Sequence, residues 1–498
     1  MYQRRGLLKL GATAALGMLG GLAAEAARAG ETRRADERAW AALKTGLSPQ
    51  ATLYRPGVAG YETARKPWNG RYADVYPDGV VRCATTQDVQ LAVRWAKDNG
   101  VPLAARSGGH NYAGYSTTNG LVVDIRRIRS VVPGTHRSGT PTLTLGGGCT
   151  NSDVYDKRKY NLYFPGGRCG GVGVAGLALG GGLGFNDRKW GMTCDRMLRT
   201  EVVLADGNVV RCDASNLEDL FWACRGGGGG NFGINTGFVF ESVDVGEMMS
   251  TVFDITLRLE HAPKVIAAVQ GILHDDRNNN FDIRVGFINP GKRDQRPRTW
   301  LLGHYLGPEK ELRKHLAPIL ALRPSKQEIG EHSFWAGQDK LLEPPSPETL
   351  ASKSLVPKEW LTPSAVQIMA DSIADWQPAA EGNAGFVTLF AMGGVIDSTR
   401  PWETAYVHRG AKFVIDIGTV WHGKEEVGRQ ARARQAATYA KLAAELKTTA
   451  AYVNFPDPDL PQWWSAYYGG NYNALLDVKR RYDLHRVFHY TQGIGANL

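Results

Sequence analysis

Three stretches in the second half of the chain alternate apolar and polar residues with a period of two: Phe281–Phe287, Thr299–Tyr305 and Lys412–Trp421. Side chains alternate faces along a strand, so this pattern predicts β-strands. In the third stretch alternation sets Asp416 and Gly418 on one face and Trp421 on the other. Helical spacing takes over in Pro263–Leu273, Pro308–Leu320 and Glu425–Leu446. The economical reading of residues 248–451 is an antiparallel sheet with helices on its far face.

The first half is patterned differently. Residues 30–70 read as a helical lead-in and an extended arm. Strands are expected at Arg71–Pro77 with Val80–Cys83, at Val101–Ala105, at Leu121–Ile125 and at Thr142–Gly148. A helix opens at Thr86 with Asp88 in its first turn and stops at Asn99-Gly100. A polar helix is expected over Thr150–Lys159. Glu201–Leu204, a turn at Ala205-Asp206-Gly207 and Val209–Cys212 form a hairpin. A short helix, Asp219–Arg225, runs into Gly226–Gly230, and a strand then ends near Val245.

Between these elements lies a glycine-dense stretch, Phe164–Trp190, with Val172, Val174, Leu177, Leu179 and Leu183 interleaved. Glycine lets backbone N–H groups approach a ligand closely, and the apolar anchors separate the stretch from a flexible linker. It reads as a cradle for a large, flat, phosphate-bearing cofactor, with Cys169 as its reactive atom. A second glycine loop, Arg106 to Ser116, follows directly on a strand, an order that lets successive N–H groups form an anion nest. It is neither a Walker loop nor G-x-G-x-x-G opening a helix.

Composition narrows the class. At 498 residues, 43% hydrophobic and 22% charged, the chain suits two or three soluble domains. The net charge of +10 is scattered among acids, unlike the basic stripe of a nucleic-acid binder. The six cysteines show neither C-x-x-C pairing nor metal-like spacing with histidine, so no metal site is expected and most read as buried apolar residues. At the N-terminus, Gln3-Arg4-Arg5-Gly6-Leu7-Leu8-Lys9, a short apolar run and Ala27-Arg28-Ala29 predict a twin-arginine signal peptide over 1–29. The run is too short for a good membrane span. Twin-arginine export carries proteins already folded around a cofactor, so a periplasmic or secreted cofactor protein without a stable membrane anchor is expected.

Taken in order, the motifs resemble the berberine bridge enzyme-like flavoproteins of the vanillyl-alcohol oxidase / p-cresol methylhydroxylase superfamily. R-S-G-G-H at 106–110 resembles the loop whose histidine bonds the flavin 8α-methyl, and G-G-R-C-G-G-V-G at 166–173 the loop whose cysteine bonds ring carbon 6. A-D-G at 205–207, D-L-F-W-A-C-R-G-G-G-G-G-N-F-G-I at 219–234, and Tyr467 to Tyr472 with Val478 to Asp483 are further signatures, with Leu484 where proline is usual. The resemblance implies an α+β fold: a two-part FAD-binding domain of the vanillyl-alcohol oxidase type (30–247), an antiparallel-sheet substrate domain backed by helices (248–451), and a C-terminal segment returning to the FAD domain (452–498). It implies FAD linked covalently to His110 and Cys169. The cofactor set it implies adds Arg106, Ser107, Gly108, Gly109, Asn111, Tyr112, Gly114 and Ser116 from the first loop. From the second stretch come Gly166, Gly167, Gly171, Val172, Gly173, Gly176, Gly181, Gly182 and Gly184, and from further on Asn231, Phe232, Gly233, Ile234, Tyr468 and Asn471. A neutral imidazole and a thiolate are the side chains able to attack an electrophilic flavin near neutral pH.

Oxidising an alcohol also requires a base. The family's carbohydrate oxidases use a tyrosine in an N-Y element, assisted by an acid. Here Asn454 is followed by Phe455, and Phe390 or Ala391 stands at the acid's place before Gly393-Gly394. Substitute bases are His422, His408, Asp416, Glu403, Tyr406 and Tyr452, of which the reading favours Tyr452 or His422. In the family a valine near the cysteine goes with oxygen access to the flavin, so the resemblance implies, through Val172 three residues after Cys169, oxygen as acceptor. Three functions stay open: a hydroxyl-oxidising flavoenzyme acting on a carbohydrate with molecular oxygen; the same fold acting on an aromatic alcohol or natural-product scaffold, or as a dehydrogenase with another acceptor; and a non-catalytic flavin-binding protein.

Overall fold

The computed structural model describes residues 35–344 and 346–498. The expected signal peptide lies outside the described residues. The fold is α+β.

The first part holds two sheets. Strand Thr52–Tyr54 lies antiparallel on Gly79–Arg82, and Gly79–Arg82, Leu121–Asp124 and Leu103–Arg106 run parallel. Parallel strands need a crossover, supplied here by helix Thr86–Asp98. Its N-cap is Thr85, one residue before the expected start, and a reciprocal capping box with Asp88 closes the end. Val89, Ala92, Val93 and Ala96 bury the apolar stripe against Trp40, Val81 and Val123. The second sheet is antiparallel, in the order Val131–Thr135, Pro141–Gly146, Ile234–Glu241, Met197–Val203, Val209–Asp213. The expected hairpin is present, with Val203 opposite Val209. Strand Val131–Thr135 escaped the pattern because it is almost wholly exposed and buries no face. The helix expected over Thr150–Lys159 shortens to Asn151–Tyr155.

The second part is a seven-stranded antiparallel sheet in the order Lys326–Ser333, Met249–Arg258, Arg298–Tyr305, Phe281–Asn289, Ala384–Ala391, Phe413–Val420, Leu350–Leu355. The three alternating stretches are its third, fourth and sixth strands. Four others were not legible. Leu350–Leu355 is buried on both faces, and Ala384–Ala391 nearly so, which erases alternation. Helices Ala262–Asp275, Pro363–Ala374 and Glu425–Leu446 cover the far face, where Val265, Val269, Val366, Met369 and Leu442 meet Ile283, Val285, Leu389 and Ile415. The helix expected over Pro308–Leu320 is two, Glu309–His315 and Ala317–Leu320, because Pro318 lacks an N–H and crowds the preceding turn.

The C-terminal helices Trp463–Tyr468 and Tyr472–Tyr482 return to the first part. Leu475, Leu476 and Val478 join Leu220 and Phe221 in one core, and Arg481 pairs with Asp219 at 2.8 Å.

Buried polar contacts lock the sheet to the glycine loops. Asn69, fully buried, donates to Tyr112 O and Leu350 O and accepts from Leu350 N. Arg188, at the end of the glycine-dense stretch, donates to Met392 O at 2.6 Å and Phe281 O at 2.9 Å. Burying a guanidinium is costly unless its donors are used, and these bonds use them.

Candidate active site

A cleft of about 1590 Å³ runs between the near face of the seven-stranded sheet and the two glycine loops. Ordinary small-molecule pockets hold about 300–1,000 Å³, so this one has room for a dinucleotide-sized group and a second ligand.

The two loops meet glycine to glycine. A Cβ built on Gly108 would lie 2.3 Å from Gly173 N, and one on Gly173 would lie 2.3 Å from Gly108 N. No other residue fits either position, and this backbone crossing brings His110 and Cys169 to one cleft. The His110 ring stacks on Trp68 at 4.4 Å between centroids. Burial pushes its pKa down to about 4, which leaves a neutral, nucleophilic imidazole at neutral pH. Cys169 is the partly exposed cysteine, and all six are free thiols. Burial pushes its thiol up, opposed first by the Gly171 N–H. Its loop is tied to the second part through Gly170 N donating to Glu343 O and Glu343 N donating to Arg168 O.

Behind His110, three hydroxyls line the cleft without a hydrogen-bond partner among the described residues: Tyr115, Ser116 and Thr117. Buried polar groups are rarely left unpaired, so these point to a ligand rich in acceptors.

Of the residues expected at the cofactor, Ser107, Gly108, Gly109, His110, Asn111, Tyr112, Ser116, Gly167, Cys169, Val172, Gly173, Gly176, Gly233 and Ile234 line the cleft. The others stand behind its wall. Arg106 points away from the cleft and donates to Ser116 O, Ala64 O and Arg65 O, holding its own loop. Asn231 donates to Gly227 O and Tyr490 Oη, Tyr468 to Gly227 O, and Asn471 to Pro401 O. Gly114 packs on Tyr72, Gly166 on Tyr155, Gly171 O on Gly108, and Gly181 on Met192. Gly182 N donates to Tyr452 Oη and Gly184 N to Asp187, while Phe232 is buried in the core. These residues shape the cradle from outside.

The opposite wall is a grid. Antiparallel partners share a face, and register aligns Trp300, Gly286, Thr388, Asp416 and Ser354 in one row. The next row is Arg298, Ile288, Phe386, Gly418 and Ser352. Glycine has a specific job in both. Trp300 lies over Gly286 and the Phe386 ring over Gly418, where a Cβ would come within 2.0 Å of the ring. The sheet thus offers the cleft two flat aromatic surfaces.

Asp416 is the ionisable group of this wall best suited to move a proton. It is 4% exposed and lines the cleft, and Ser352 Oγ donates to its Oδ1 over 2.6 Å. Burial lifts its pKa to about 6, against that hydrogen bond and the Arg168 charge. Tyr452 also lines the cleft, but its hydroxyl accepts from Gly182 N at 2.9 Å and Asn454 Nδ2 at 3.1 Å, and burial pushes its pKa up. The favoured His422 is exposed and outside the lining residues. His408 and Tyr406 are buried away from the cleft and Glu403 is exposed outside it.

At the expected tyrosine and acid positions the cleft is aromatic. Phe455 stands 5.7 Å from Tyr112, 5.3 Å from Phe390 and 5.1 Å from Tyr452 between ring centroids. The Phe390 ring receives Arg168 at 5.0 Å and Arg284 at 4.8 Å. Cation–π contact on both gives this phenylalanine a positional role. Sequence reasoning missed Trp68, Ser352 and Glu343, which carry no local motif. Arg168 stood inside the quoted cysteine motif and could have been found there.

Comparison with known proteins agrees with this layout. Residues 77–213 match the model of an FAD binding domain, and 451–495 that of a berberine and berberine-like domain. An uncharacterized FAD-linked oxidoreductase of Bacillus subtilis, YgaK, is 30% identical over 84% of this chain and 91% of its own. A monolignol oxidoreductase of Arabidopsis thaliana is 28% identical over 82% of each chain. A carbohydrate oxidase of Microdochium nivale is 26% identical over 88% of this chain and 92% of its own. Among solved structures, glucooligosaccharide oxidase of Acremonium strictum, described as carrying 6-S-cysteinyl, 8α-N1-histidyl FAD, shares the fold with a TM-score of 0.81. That likeness covers 92% of this chain and 99% of that one at 23% identity.

Proposed function

The chain belongs to the berberine bridge enzyme-like, FAD-linked oxidoreductases, and from this membership we propose that it oxidises a hydroxyl group of a carbohydrate, with His110 and Cys169 both bonded to the flavin and molecular oxygen as acceptor. The residues fit FAD. The glycine crossing lets a flat ring approach backbone, and the free hydroxyls of Tyr115, Ser116 and Thr117 suit diphosphate oxygens. When bound, FAD supplies a two-electron acceptor for hydride.

The observation that carries the reading is Asp416: a buried acid with a pKa near 6, across the cleft from the two nucleophile loops. Near neutral pH it is ionised and ready to take a proton. Ser352 fixes its orientation. The Tyr112 phenol stays neutral, since burial pushes it up and the Asp416 charge adds to that, so it can donate a hydrogen bond to the substrate oxygen. Trp300 and Phe386 give sugar rings apolar faces to stack on, and the carbohydrate oxidase of Microdochium nivale supports that substrate class. Val172, which lines the cleft beside the Cys169 loop, supports oxygen as acceptor.

A second reading, an aromatic alcohol, draws on the Phe390–Phe455–Tyr112 cluster and the monolignol oxidoreductase relative. Anaerobic flavin bleaching against a panel of carbohydrates and aromatic alcohols, followed by peroxide assay in air, separates the two. Bleaching by aromatic alcohols alone replaces the first reading with the second, and bleaching by nothing in the panel removes both. Export through the twin-arginine route predicts a mature N-terminus at Gly30, checked by sequencing the secreted or periplasmic protein.

A further inference from the structure

Arg298 closes one end of the grid. It lines the cleft in the row that continues through Ile288, Phe386 and Gly418. Two other arginines nearby are committed: Arg168, on the cysteine loop, to Glu343 at 3.2 Å, and Arg284, in the sheet but outside the lining residues, to Asp282 at 2.9 Å. Arg298 has no salt bridge among the described residues. Its surroundings sharpen this. Arg258 stands directly opposite it on the neighbouring strand and takes Glu260 as its own partner at 3.3 Å, so it offers Arg298 no counter-charge. The hairpin leading into it exposes Lys292, Arg293 and Arg296 against one acid, Asp294. The cleft's free acid, Glu348, precedes Leu350 at the far edge of the sheet, four strands away.

From Asp416 to Arg298 the backbone separation is three strand spacings and two residues, about 16 Å in all. The ring surfaces of Phe386 and Trp300 lie between. That span exceeds any single sugar or phenol ring. We propose that the substrate is an acidic oligosaccharide, oxidised at one end beside Asp416 and held by a carboxylate on Arg298 at the other, with intervening rings stacked on Phe386 and Trp300. A guanidinium takes a carboxylate through two parallel hydrogen bonds, so the contact selects charge and orientation together. This rests on the hydroxyl-oxidation reading for its chemistry, but not for its binding.

The test is therefore a binding measurement first. Titration calorimetry on the flavin-loaded protein compares trigalacturonate with the neutral trimer maltotriose, for wild type and Arg298→Gln. Wild type is expected to bind trigalacturonate at least tenfold more tightly than maltotriose, with the margin shrinking as salt rises. Arg298→Gln, at a half-buried position at the start of its strand, is expected to abolish the margin without weakening maltotriose. Equal affinities in wild type, or an unchanged margin in Arg298→Gln, would overturn the proposal. Trigalacturonate that binds by this pattern and is never oxidised would keep Arg298 as the anion site and remove the hydroxyl-oxidation reading instead.

Discussion

Ser352 Oγ donates to Asp416 Oδ1 over 2.6 Å, from a neighbouring strand whose Ser354, not Ser352, is the aspartate's register partner. The bond is therefore diagonal, and it holds the carboxyl at a fixed angle within the cleft.

If Asp416 takes the substrate proton, Asp416→Asn should slow flavin reduction by about 10²–10⁴-fold while leaving flavin content unchanged. The wild-type rate should rise with pH and level off above about 6, because the base works only when ionised. Ser352→Ala removes a donor that favours the carboxylate, so this limb should move to higher pH. Stability has the opposite sign: the folded carboxyl holds its proton more tightly than an unfolded one, so stability falls as pH rises from about 4 to 6. Asp416→Asn should flatten Tm across that window. Stopped-flow reduction and thermal melts read both.

Tyr452 should behave as a structural hydroxyl. Tyr452→Phe leaves the buried Gly182 N–H without its acceptor, while the Asn454 amide keeps Leu177 O, an effect of about 1–3 kcal/mol for the buried orphan. Tm should drop while the flavin reduction rate stays within a few-fold. A large loss of rate with Tm intact would return Tyr452 to the role of base.

His110→Ala and Cys169→Ala should each keep the flavin bound through acid precipitation, and the double variant should release it. Absorbance of pellet and supernatant settles the count of bonds. Release from either single variant would mean that one link carries the flavin.

Val172→Ile should slow flavin reoxidation by air without changing the anaerobic reduction rate, since the added methylene narrows the wall beside Cys169. An unchanged reoxidation rate would place oxygen entry elsewhere.

What was legible in the chain followed from local chemistry. The glycine loops carrying His110 and Cys169 were found because close backbone approach excludes side chains over a continuous stretch. Asp416 and Gly418 were correctly set on one face because alternation is strict in that strand. Of the candidate bases, the structure brings Tyr452 and Asp416 to the cleft and leaves His422 outside it, a distinction that burial and not residue type makes. His422 and Asp416 lie six residues apart, and only the sheet register shows one turned into the cleft and the other left in solvent. Arg106 shows the same dependence on the fold. The resemblance placed it in the cofactor set, but the carbonyls of Ser116, Ala64 and Arg65 occupy its guanidinium.

The Gly108–Gly173 crossing also sets an order of events. His110 and Cys169 belong to separate loops, so neither local segment can present both atoms to one ring by itself. If the proposed double linkage forms, a flavin bonded at both positions certifies that the loops had docked first, and a singly bonded one marks a chain that stopped short. The ratio of the two species in a preparation would then be a count of completed assembly, kept as a covalent record that survives denaturation.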